Sequence, residues 1–244
     1  MTARLIVDLG SSRIAWRGAS GSGTLLHAGE PGRCITGALA GGEPPDEIVV
    51  GSVAVTAVTA EFLSACRAAW GIAPRELVAG REACGVRNAY AEPARLGIDR
   101  WAALIAAYHV CGGGVLVADC GTAVTVDYVT DDGRHAGGMI APGIELMRAA
   151  LAGGTRIVPA RRPVSPPPLF GTDTESAISA GTSVAIEGLL THAIEQTAAR
   201  YGKPHALLIT GGEAPALLER VKEGWRYVPA LVFDGLELLA DYAP

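Results

Sequence analysis

The sequence predicts an α/β fold made of two halves of similar design. Two observations support this prediction. Strand-like and helix-like segments alternate along the 244 residues, a pattern typical of helices packed on sheets. In addition, a strand that ends in Asp-x-Gly followed by Ser or Thr occurs twice, as "VDLGSS" from Val7 and "ADCGT" from Ala118. We therefore expect a duplicated architecture, with halves at residues 1–115 and 116–244.

The first half alternates short strands with helices. Apolar, β-branched runs predict strands at 4–8, 14–17, 47–54 and 77–80. Apolar residues at helical spacing predict a helix over 58–71, with Gly71 as its C-cap, and an alanine-rich helix over 99–111 that starts at Asp99. Residues 85–97 combine Gly, Asn, Pro and charged residues, so we expect a loop there.

The second half repeats this alternation. Its predicted strands lie at 115–119, 123–128 and 205–210, with "TDDG" at 130–133 as a hairpin turn. Its predicted helices lie at 137–151, where a glycine-rich loop leads into the helix, and at 173–202 and 231–243. A loop followed by a helix is predicted at 211–224. The proline-rich stretch 158–172 predicts an irregular excursion.

Composition and charge exclude several classes of protein. The net charge is −5 and the sequence has no basic stripe, so we expect no nucleic-acid partner. The apolar runs are short and interrupted by charges, so we expect no membrane span. Five cysteines at wide spacing, without a C-x-x-C, predict neither a zinc site nor a disulfide framework. These features favour a cytoplasmic protein with reduced thiols.

The two Asp-x-Gly segments have the composition of phosphate-binding turns. Glycine lets backbone N–H groups approach phosphate oxygens closely, and the hydroxyls of Ser11, Ser12 and Thr122 add donors. Asp8 and Asp119 are acids, which hold a cation or its waters rather than phosphate itself. Either segment alone is compatible with an ordinary strand–turn–strand hairpin, whereas the pair in matching positions favours a phosphate site.

A third segment, "TGGE" at 210–213, follows the strand predicted at 205–210. Gly211 and Gly212 leave a surface without side chains at the start of a helix, which suits an adenine or a ribose. Taken alone, the segment is a simple strand–helix turn. Together with the two Asp-x-Gly turns, it predicts a nucleotide site.

In this three-part arrangement the chain resembles the superfamily of actin, the large heat-shock chaperones and the sugar kinases. The resemblance is closest to the type III pantothenate kinases and spans nearly the whole chain. The segments that are similar to that family's ordered motifs are "EPARLGIDRW" (92–101), "DCGTAVTVD" (119–127), "GGMIAPG" (137–143), "DTESAISAG" (173–181) and "TGGE".

The resemblance implies a fold and an activity. The fold would be two duplicated actin-like (ribonuclease H-like) half-domains, with mixed sheets flanked by helices. The activity would be transfer of phosphate from ATP to the terminal hydroxyl of pantothenate, which is the first step of coenzyme A synthesis.

The resemblance also implies an acceptor site. Asp99 matches the catalytic acid, which would orient the acceptor hydroxyl and accept its proton. The same residue is also suited to the start of helix 99–111, where a carboxylate is stabilised. Arg100 matches a clamp for the substrate carboxylate or a phosphate, with a surface salt bridge as the alternative. The other substrate contacts implied are Tyr90, Gly97, Ile98 and Thr174, and Thr174 is also compatible with a place beside a helix N-cap.

The nucleotide contacts implied by the resemblance lie in the three turns. They are Asp8, Leu9, Gly10, Ser11, Ser12, Arg13, Ile14, Ala15 and Thr122 at the phosphates, and Gly211 and Gly212 at the nucleoside. Asp119 matches the site of a monovalent cation, K⁺ or NH₄⁺, although a lone carboxylate is equally compatible with Mg²⁺. The expected cofactors are therefore ATP, Mg²⁺ and a monovalent cation.

The chain departs from the resembled pattern in the first turn. Many type III pantothenate kinases carry Asn where this chain has Ser11, Lys where it has Ala15, and Asn where it has Asp173. Ala15 lacks a positive charge that would face the phosphates, unless Arg13 or Arg17 compensates. These departures keep a second hypothesis open, that of a non-catalytic accessory regulator of transcription that retained the fold. A sugar kinase or polyphosphatase would explain the turns but not "GIDRW" beside "DCGTAVTVD".

The resemblance further implies a homodimer in which each substrate site lies close to the partner chain. On helix 99–111, Ala102, Ala103, Ala106 and Ala107 form a small-residue face. Such a face suits close packing against a helix of another chain or of the same chain.

Overall fold

Strands and helices alternate along the chain in the computed structural model, which describes residues 3–156, 166–221 and 224–242. The strands are β1 (Arg4–Leu9), β2 (Arg13–Gly18), β3 (Gly21–Leu26), β4 (Glu47–Ser52), β5 (Arg75–Leu77), β6 (Glu82–Ala83), β7 (Val86–Arg87), β8 (Val115–Cys120), β9 (Ala123–Val129), β10 (His135–Pro142), β11 (Ala206–Thr210) and β12 (Trp225–Tyr227). The helices are α1 (Pro31–Ala38), α2 (Thr56–Trp70), α3 (Ile98–Cys111), α4 (Ile144–Gly154), α5 (Thr174–Tyr201), α6 (Ala214–Leu218) and α7 (Leu231–Asp241).

The chain divides by its contacts into two units. The first comprises Met1–Val110, Gly133–His135 and Ala230–Pro244, and the second comprises Cys111–Asp132 and Ala136–Pro229. The predicted halves, 1–115 and 116–244, differ from this division chiefly at the C-terminus, because α7 packs on β1 and β4 of the first unit.

Each unit contains a five-stranded mixed sheet, and the two sheets share one topology. The strand order is β3–β2–β1–β4–β5 in the first and β10–β9–β8–β11–β12 in the second. In each, the central strand pairs antiparallel with the strand that follows it, β2 or β9, and parallel with a later strand, β4 or β11. The fifth strand is again parallel. The prediction of an α/β fold with two duplicated mixed sheets is confirmed.

Helices cover one face of each sheet. In the first unit, Phe62 and Cys66 of α2 join the buried side chains of β1, β2 and β4. In the second, Ile186, Leu190 and Ala193 of α5 pack with those of β8 and β9. Burial of a large apolar side chain contributes about 1.5–3 kcal/mol, so these two clusters hold the ends of β1 and β8 in place.

Helix α7 covers the opposite face of the first sheet. A Cβ on Gly51 of β4 would lie 2.7 Å from Leu236 Cδ2, and a Cβ on Gly235 would collide with the backbone of Ala102 on α3. All four alanines of the small-residue face on α3 are at most 2% exposed. That face is therefore buried within the chain, at least in part by α7.

Several predicted boundaries are wrong. The strand expected at 77–80 is β5, three residues in register with Val49–Gly51. Residues 137–142, expected as a glycine-rich loop, belong to β10, because pairing with β9 satisfies their backbone. The loop expected at 85–97 contains β7 and a 3-10 turn at Pro93–Arg95. Of the loop and helix expected at 211–224, the described residues contain the short helix α6.

Two other expectations concern the region around α5. Of the proline-rich stretch at 158–172, residues 158–165 lie outside the described residues, and 166–172 contain neither helix nor strand. Helix α5 has 28 residues and is apolar enough to pass a test for a membrane span by length and composition. Core helices pass the same test, and α5 buries apolar side chains in the second unit.

Candidate active site

The first Asp-x-Gly turn closes the β1–β2 hairpin. The Gly10 N–H donates to the Arg13 carbonyl oxygen at 2.9 Å, which makes the turn tight. Ser11, Ser12 and Arg13 are exposed at its tip. Asp8 lies on β1. The turn therefore presents hydroxyls, backbone donors and a guanidinium to solvent, as a phosphate site requires.

The residues that flank this turn are fixed by the sheet. Leu9 and Ile14 pair across the hairpin and are fully buried. Asp8 pairs with Ala15 on β2 and with Gly51 on β4. Because opposite residues share a face of the sheet, Asp8 has only small neighbours beside it on both sides.

His27 braces the turn, a role that the sequence did not indicate. Its Nδ1 accepts from the Gly29 N–H at 3.0 Å, so Nε2 carries the proton and donates to the Gly10 carbonyl oxygen at 3.1 Å. The His27 N–H donates to the Ser12 carbonyl oxygen at 3.2 Å, and the side chain is 3% exposed. The His27 side chain thus holds the Gly10 carbonyl, and its backbone N–H holds the Ser12 carbonyl.

The charge missing at Ala15 is not supplied by Arg17. Its guanidinium donates to Asp234 at 2.8 Å and to Glu237 at 2.7 Å, both on α7, and it lies over the ring of Phe233. Its charge is therefore neutralised by carboxylates. Arg13, which is exposed at the tip of the turn, is the better placed of the two arginines to compensate.

The second Asp-x-Gly turn, in the second unit, is one residue shorter than the first. The Gly121 N–H donates to the Ala123 carbonyl oxygen at 3.0 Å and closes the β8–β9 hairpin. Asp119 of β8 pairs with Thr125 on β9 and with Thr210 on β11. A carboxylate and two hydroxyls therefore lie in a row on one face of the sheet.

Glycines of two further segments touch this turn. A Cβ on Gly143, at the start of α4, would collide with the Gly121 carbonyl oxygen, and the Gly143 N–H donates to the Thr122 carbonyl oxygen at 2.9 Å. Gly211 has a φ of +93°, and a Cβ there would lie 2.5 Å from Asp119 Oδ1. The structure thus places Gly211 against Asp119, and the start of α4 against Thr122.

Glu213 joins these segments. Its N–H donates to the Cys120 carbonyl oxygen at 2.9 Å, and its carboxylate accepts from the Ile144 N–H at the start of α4 at 3.4 Å. Burial raises the pKa of the Glu213 carboxyl above its ordinary value. The sequence motif contained this residue, but its position as a cap for α4 depends on two distant segments.

The predicted acceptor residues other than Thr174 lie in the first unit, at or before the start of α3. Asp99 lies in the first turn of the helix, and its Oδ1 accepts from the Arg100 N–H at 2.7 Å. A Cβ on Gly97 would lie 2.5 Å from the same oxygen. Ile98 is 5% exposed and anchors the helix. The partial positive charge of the helix N-terminus stabilises the Asp99 carboxylate.

Arg100 is not a surface residue, contrary to one of the two alternatives. It is 6% exposed, and its Nη1 donates to the Tyr90 hydroxyl at 3.0 Å. Its guanidinium carbon lies 5.9 Å from the centre of the Tyr90 ring. A buried guanidinium braced by a tyrosine has a fixed direction, which suits recognition of a carboxylate.

Thr174 begins α5 in the second unit and is exposed. The N-cap is Asp173, whose side chain accepts from the Ser176 N–H at 2.9 Å within a capping box. These hydrogen bonds lower the pKa of the Asp173 carboxyl. Thr174 is therefore a neighbour of the cap, and its hydroxyl is not needed for capping.

Among residues 3–156, 166–221 and 224–242, no three His, Cys, Asp or Glu side chains converge as a metal cluster. The side-chain oxygens that lie in a row at Asp119, Thr125 and Thr210 offer one formal negative charge and two neutral hydroxyls. Such a donor set fits a large, weakly held cation better than a dedicated divalent site.

Comparison with known proteins finds a matching family model and relatives over nearly the whole chain. The family model of the type III pantothenate kinases matches residues 4–196. The type III pantothenate kinase of Halorhodospira halophila is 38% identical over 244 residues, which cover 96% of both chains.

Two solved structures are similar in fold. A protein of Campylobacter jejuni described as a Baf family transcriptional activator is 22% identical, with a TM-score of 0.61 and 96% of both chains covered. An archaeal actin homolog is 12% identical, with a TM-score of 0.53 and coverage of 98% and 99%. At these identities the likeness concerns the fold, and it confirms the predicted actin-like architecture.

Proposed function

Since this chain belongs to the type III pantothenate kinase family, we propose that it transfers the γ-phosphoryl group of ATP to the terminal hydroxyl of pantothenate. The products are ADP and 4′-phosphopantothenate, in the first step of coenzyme A biosynthesis. The observation that carries the proposal is the cluster at the start of α3, where Asp99 is held beside Arg100 and Tyr90.

In the proposed reaction, Asp99 is the catalytic base. The acceptor oxygen forms a bond to the γ-phosphorus while the bond from that phosphorus to the bridging oxygen breaks, and the electron pair leaves with ADP. The hydroxyl proton passes to the Asp99 carboxylate. General-base catalysis of this kind contributes about 10²–10⁴-fold. The hydrogen bond from the Arg100 N–H orients the carboxylate before substrate arrives.

Arg100, Tyr90, Gly97 and Ile98 form the proposed acceptor site. Pantothenate carries a carboxylate, for which the buried Arg100 guanidinium is the natural partner. The close approach of Gly97 to Asp99 keeps the region over the carboxylate free of a side chain. In the second unit, considered by itself, Thr174 is proposed as a substrate contact because it presents a hydroxyl from the first turn of α5.

The nucleotide contacts are proposed for each unit by itself. In the first unit, the β1–β2 turn, Asp8 to Ala15, would contact phosphate. In the second unit, Thr122 would contact phosphate, and Gly211 and Gly212 would face the nucleoside. Ser11 and Arg13 supply donors at the exposed tip of the first turn. The retained backbone donors and Arg13 offset the absence of a lysine at Ala15.

Two cations belong to the proposal. Mg²⁺ enters with ATP, and a monovalent cation, K⁺ or NH₄⁺, would be held by the Asp119 carboxylate with neighbouring hydroxyls of Thr125 and Thr210. When bound, these ions would supply positive charge that offsets the negative charge of the phosphates.

We also propose a homodimer in the cytoplasm. Large apolar side chains are exposed on β10, α4 and α5, and in the segment before α5: they are Met139, Ile140, Leu146, Val184, Leu169 and Phe170. Exposed apolar side chains of this kind mark interaction surfaces when they are contiguous. Light scattering of the purified protein tests the dimer, and a monomer at micromolar concentration would contradict it.

The kinase is favoured over a non-catalytic regulator. The curated relative from H. halophila is named a kinase, whereas the likeness to the transcriptional activator of C. jejuni concerns the fold. The test is incubation with Mg·ATP, K⁺ and pantothenate, with ADP followed by a coupled assay and the product identified by mass spectrometry. Absence of 4′-phosphopantothenate from the wild-type reaction would contradict the proposal.

A further inference from the structure

Asn88 lies where three parts of the loop before α3 meet. It is the only asparagine among the 244 residues, and it is 7% exposed. Its Oδ1 accepts from the Tyr90 N–H at 2.9 Å. Its Nδ2 donates to the Gly80 carbonyl oxygen at 3.1 Å and to the Pro93 carbonyl oxygen at 3.3 Å. The side chain therefore uses both donors and one acceptor on the backbone of this loop.

Tyr90 is held at its other atoms as well. Arg81 donates to the carbonyl oxygens of Tyr90 and Ala91 at 3.1 and 3.0 Å. The buried His135 ring lies parallel to the Tyr90 ring, with the centres 6.2 Å apart. The hydroxyl accepts from Arg100. Tyr90 is thus fixed by its backbone, its ring and its hydroxyl, although the side chain is only partly buried.

We propose that Asn88 is a positioning residue for the acceptor site. By fixing the Tyr90 backbone, it sets the Tyr90 hydroxyl, which in turn holds the guanidinium of Arg100 in the direction needed for a carboxylate. Asn88 itself does not contact the substrate in this scheme. The proposal rests on the function proposed above, since it assigns the purpose of this arrangement to binding of pantothenate.

The substitutions Asn88→Ala and Asn88→Asp test the role in two ways. Asn88→Ala removes all three hydrogen bonds. Asn88→Asp keeps the volume and an acceptor for the Tyr90 N–H, but it directs an oxygen at the carbonyls of Gly80 and Pro93. Thr59→Ala is the matched control, because Thr59 is also 7% exposed and its hydroxyl bonds to Ser52 on β4 rather than to the acceptor loop.

The expected result is a selective effect on the acceptor. A small displacement of a positioning group typically lowers the reaction rate by up to about 100-fold. We therefore expect kcat/KM for pantothenate to fall by roughly 10- to 100-fold in both variants. KM for ATP should stay within about twofold, and Thr59→Ala should keep wild-type values for both substrates. Equal losses for ATP and pantothenate, or unchanged kinetics in an active protein, would overturn the proposal. A wild-type protein without kinase activity would instead contradict the proposed function.

A measurement that does not need turnover follows from the single asparagine. Selective labelling with [¹⁵N]asparagine gives one side-chain amide pair in a heteronuclear NMR spectrum. We expect this pair to exchange slowly with solvent and to shift when pantothenate is added, because Tyr90 and Arg100 change their environment on binding. A rapidly exchanging pair that does not respond to saturating pantothenate would refute the positioning role.

Discussion

Replacement of His27 tests how the first phosphate turn is held. His27→Ala removes the hydrogen bond from Nε2 to the Gly10 carbonyl oxygen and the acceptor of the Gly29 N–H. A hydrogen bond of this kind contributes about 1 kcal/mol, so two of them correspond to roughly 2 kcal/mol. In a chain of this length, that loss lowers the melting temperature by about 4–8 °C. It also frees the turn, so we expect KM for ATP to rise by roughly 10-fold.

The assay separates the brace from general destabilisation. Melting is followed by circular dichroism, and KM is measured for ATP and for pantothenate. His27→Gln should recover part of the ATP affinity, because its amide can donate to the Gly10 carbonyl. His192→Ala is the control, since His192 is exposed on α5. A His27→Ala protein with wild-type KM for ATP and an unchanged melting temperature would refute this account of the turn.

Three further predictions concern single side chains. Gly211→Ala forces a non-glycine residue to a φ of +93° and directs a Cβ at Asp119 and the Cys120 carbonyl, so calorimetry should show that ATP affinity is lost. The control is Gly188→Ala, which adds a Cβ in open space on α5 and should leave ATP binding normal. Equal ATP affinity in the two proteins would contradict this prediction. Glu175→Ala removes the nearer of two carboxylates beside Arg148, which is 4% exposed and lies 2.7 Å from Glu175 and 3.8 Å from Glu145. Because Glu145 remains, urea denaturation should show a loss of about 1–3 kcal/mol; a loss below about 0.5 kcal/mol would count against a buried ion pair. The pKa of the Glu47 carboxyl is lowered by hydrogen bonds and charge from Arg4, and then by those from Arg75. The stability that Glu47 contributes is therefore present above the pKa that its carboxyl has in the unfolded chain. This stability is lost as the pH falls through the lowered pKa of the folded protein. Glu47→Gln should therefore flatten the acid limb of the stability profile, and an acid limb identical to that of the wild type would argue against this linkage.

The sequence predicted the centre of each sheet but not the edge strands β3 and β12. β1, β4, β8 and β11 are buried, apolar runs that pattern alone identifies. β3 has the exposed sequence "GSGTLL", and β12 has three residues. Their strand geometry comes from pairing with β2 and β11 rather than from their own composition. Prediction from local pattern therefore fails at β3 and at β12 for the same reason.

The candidate site residues also divide into those that the sequence indicates and those that only the fold reveals. Asp8, Asp99, Asp119 and Gly211 lie in local motifs, which residue type and spacing indicate directly. His27 acts through the turn of another strand, and Glu213 acts through the start of α4. The neutralisation of Arg17 by Asp234 and Glu237 joins residues more than 200 positions apart. Such long-range partners have no signature in a single sequence, since only the fold brings them together.

The central claim is that Asp99 accepts the proton of the pantothenate hydroxyl. The most direct measurement is a comparison of wild-type and Asp99→Asn proteins, with ATP and pantothenate affinities from calorimetry and kcat from product formation. The account predicts that kcat falls by about 10²–10⁴-fold while both affinities stay within about threefold, since Asn retains the shape and an acceptor for the Arg100 N–H. A variant that keeps at least half of the wild-type kcat would contradict the claim.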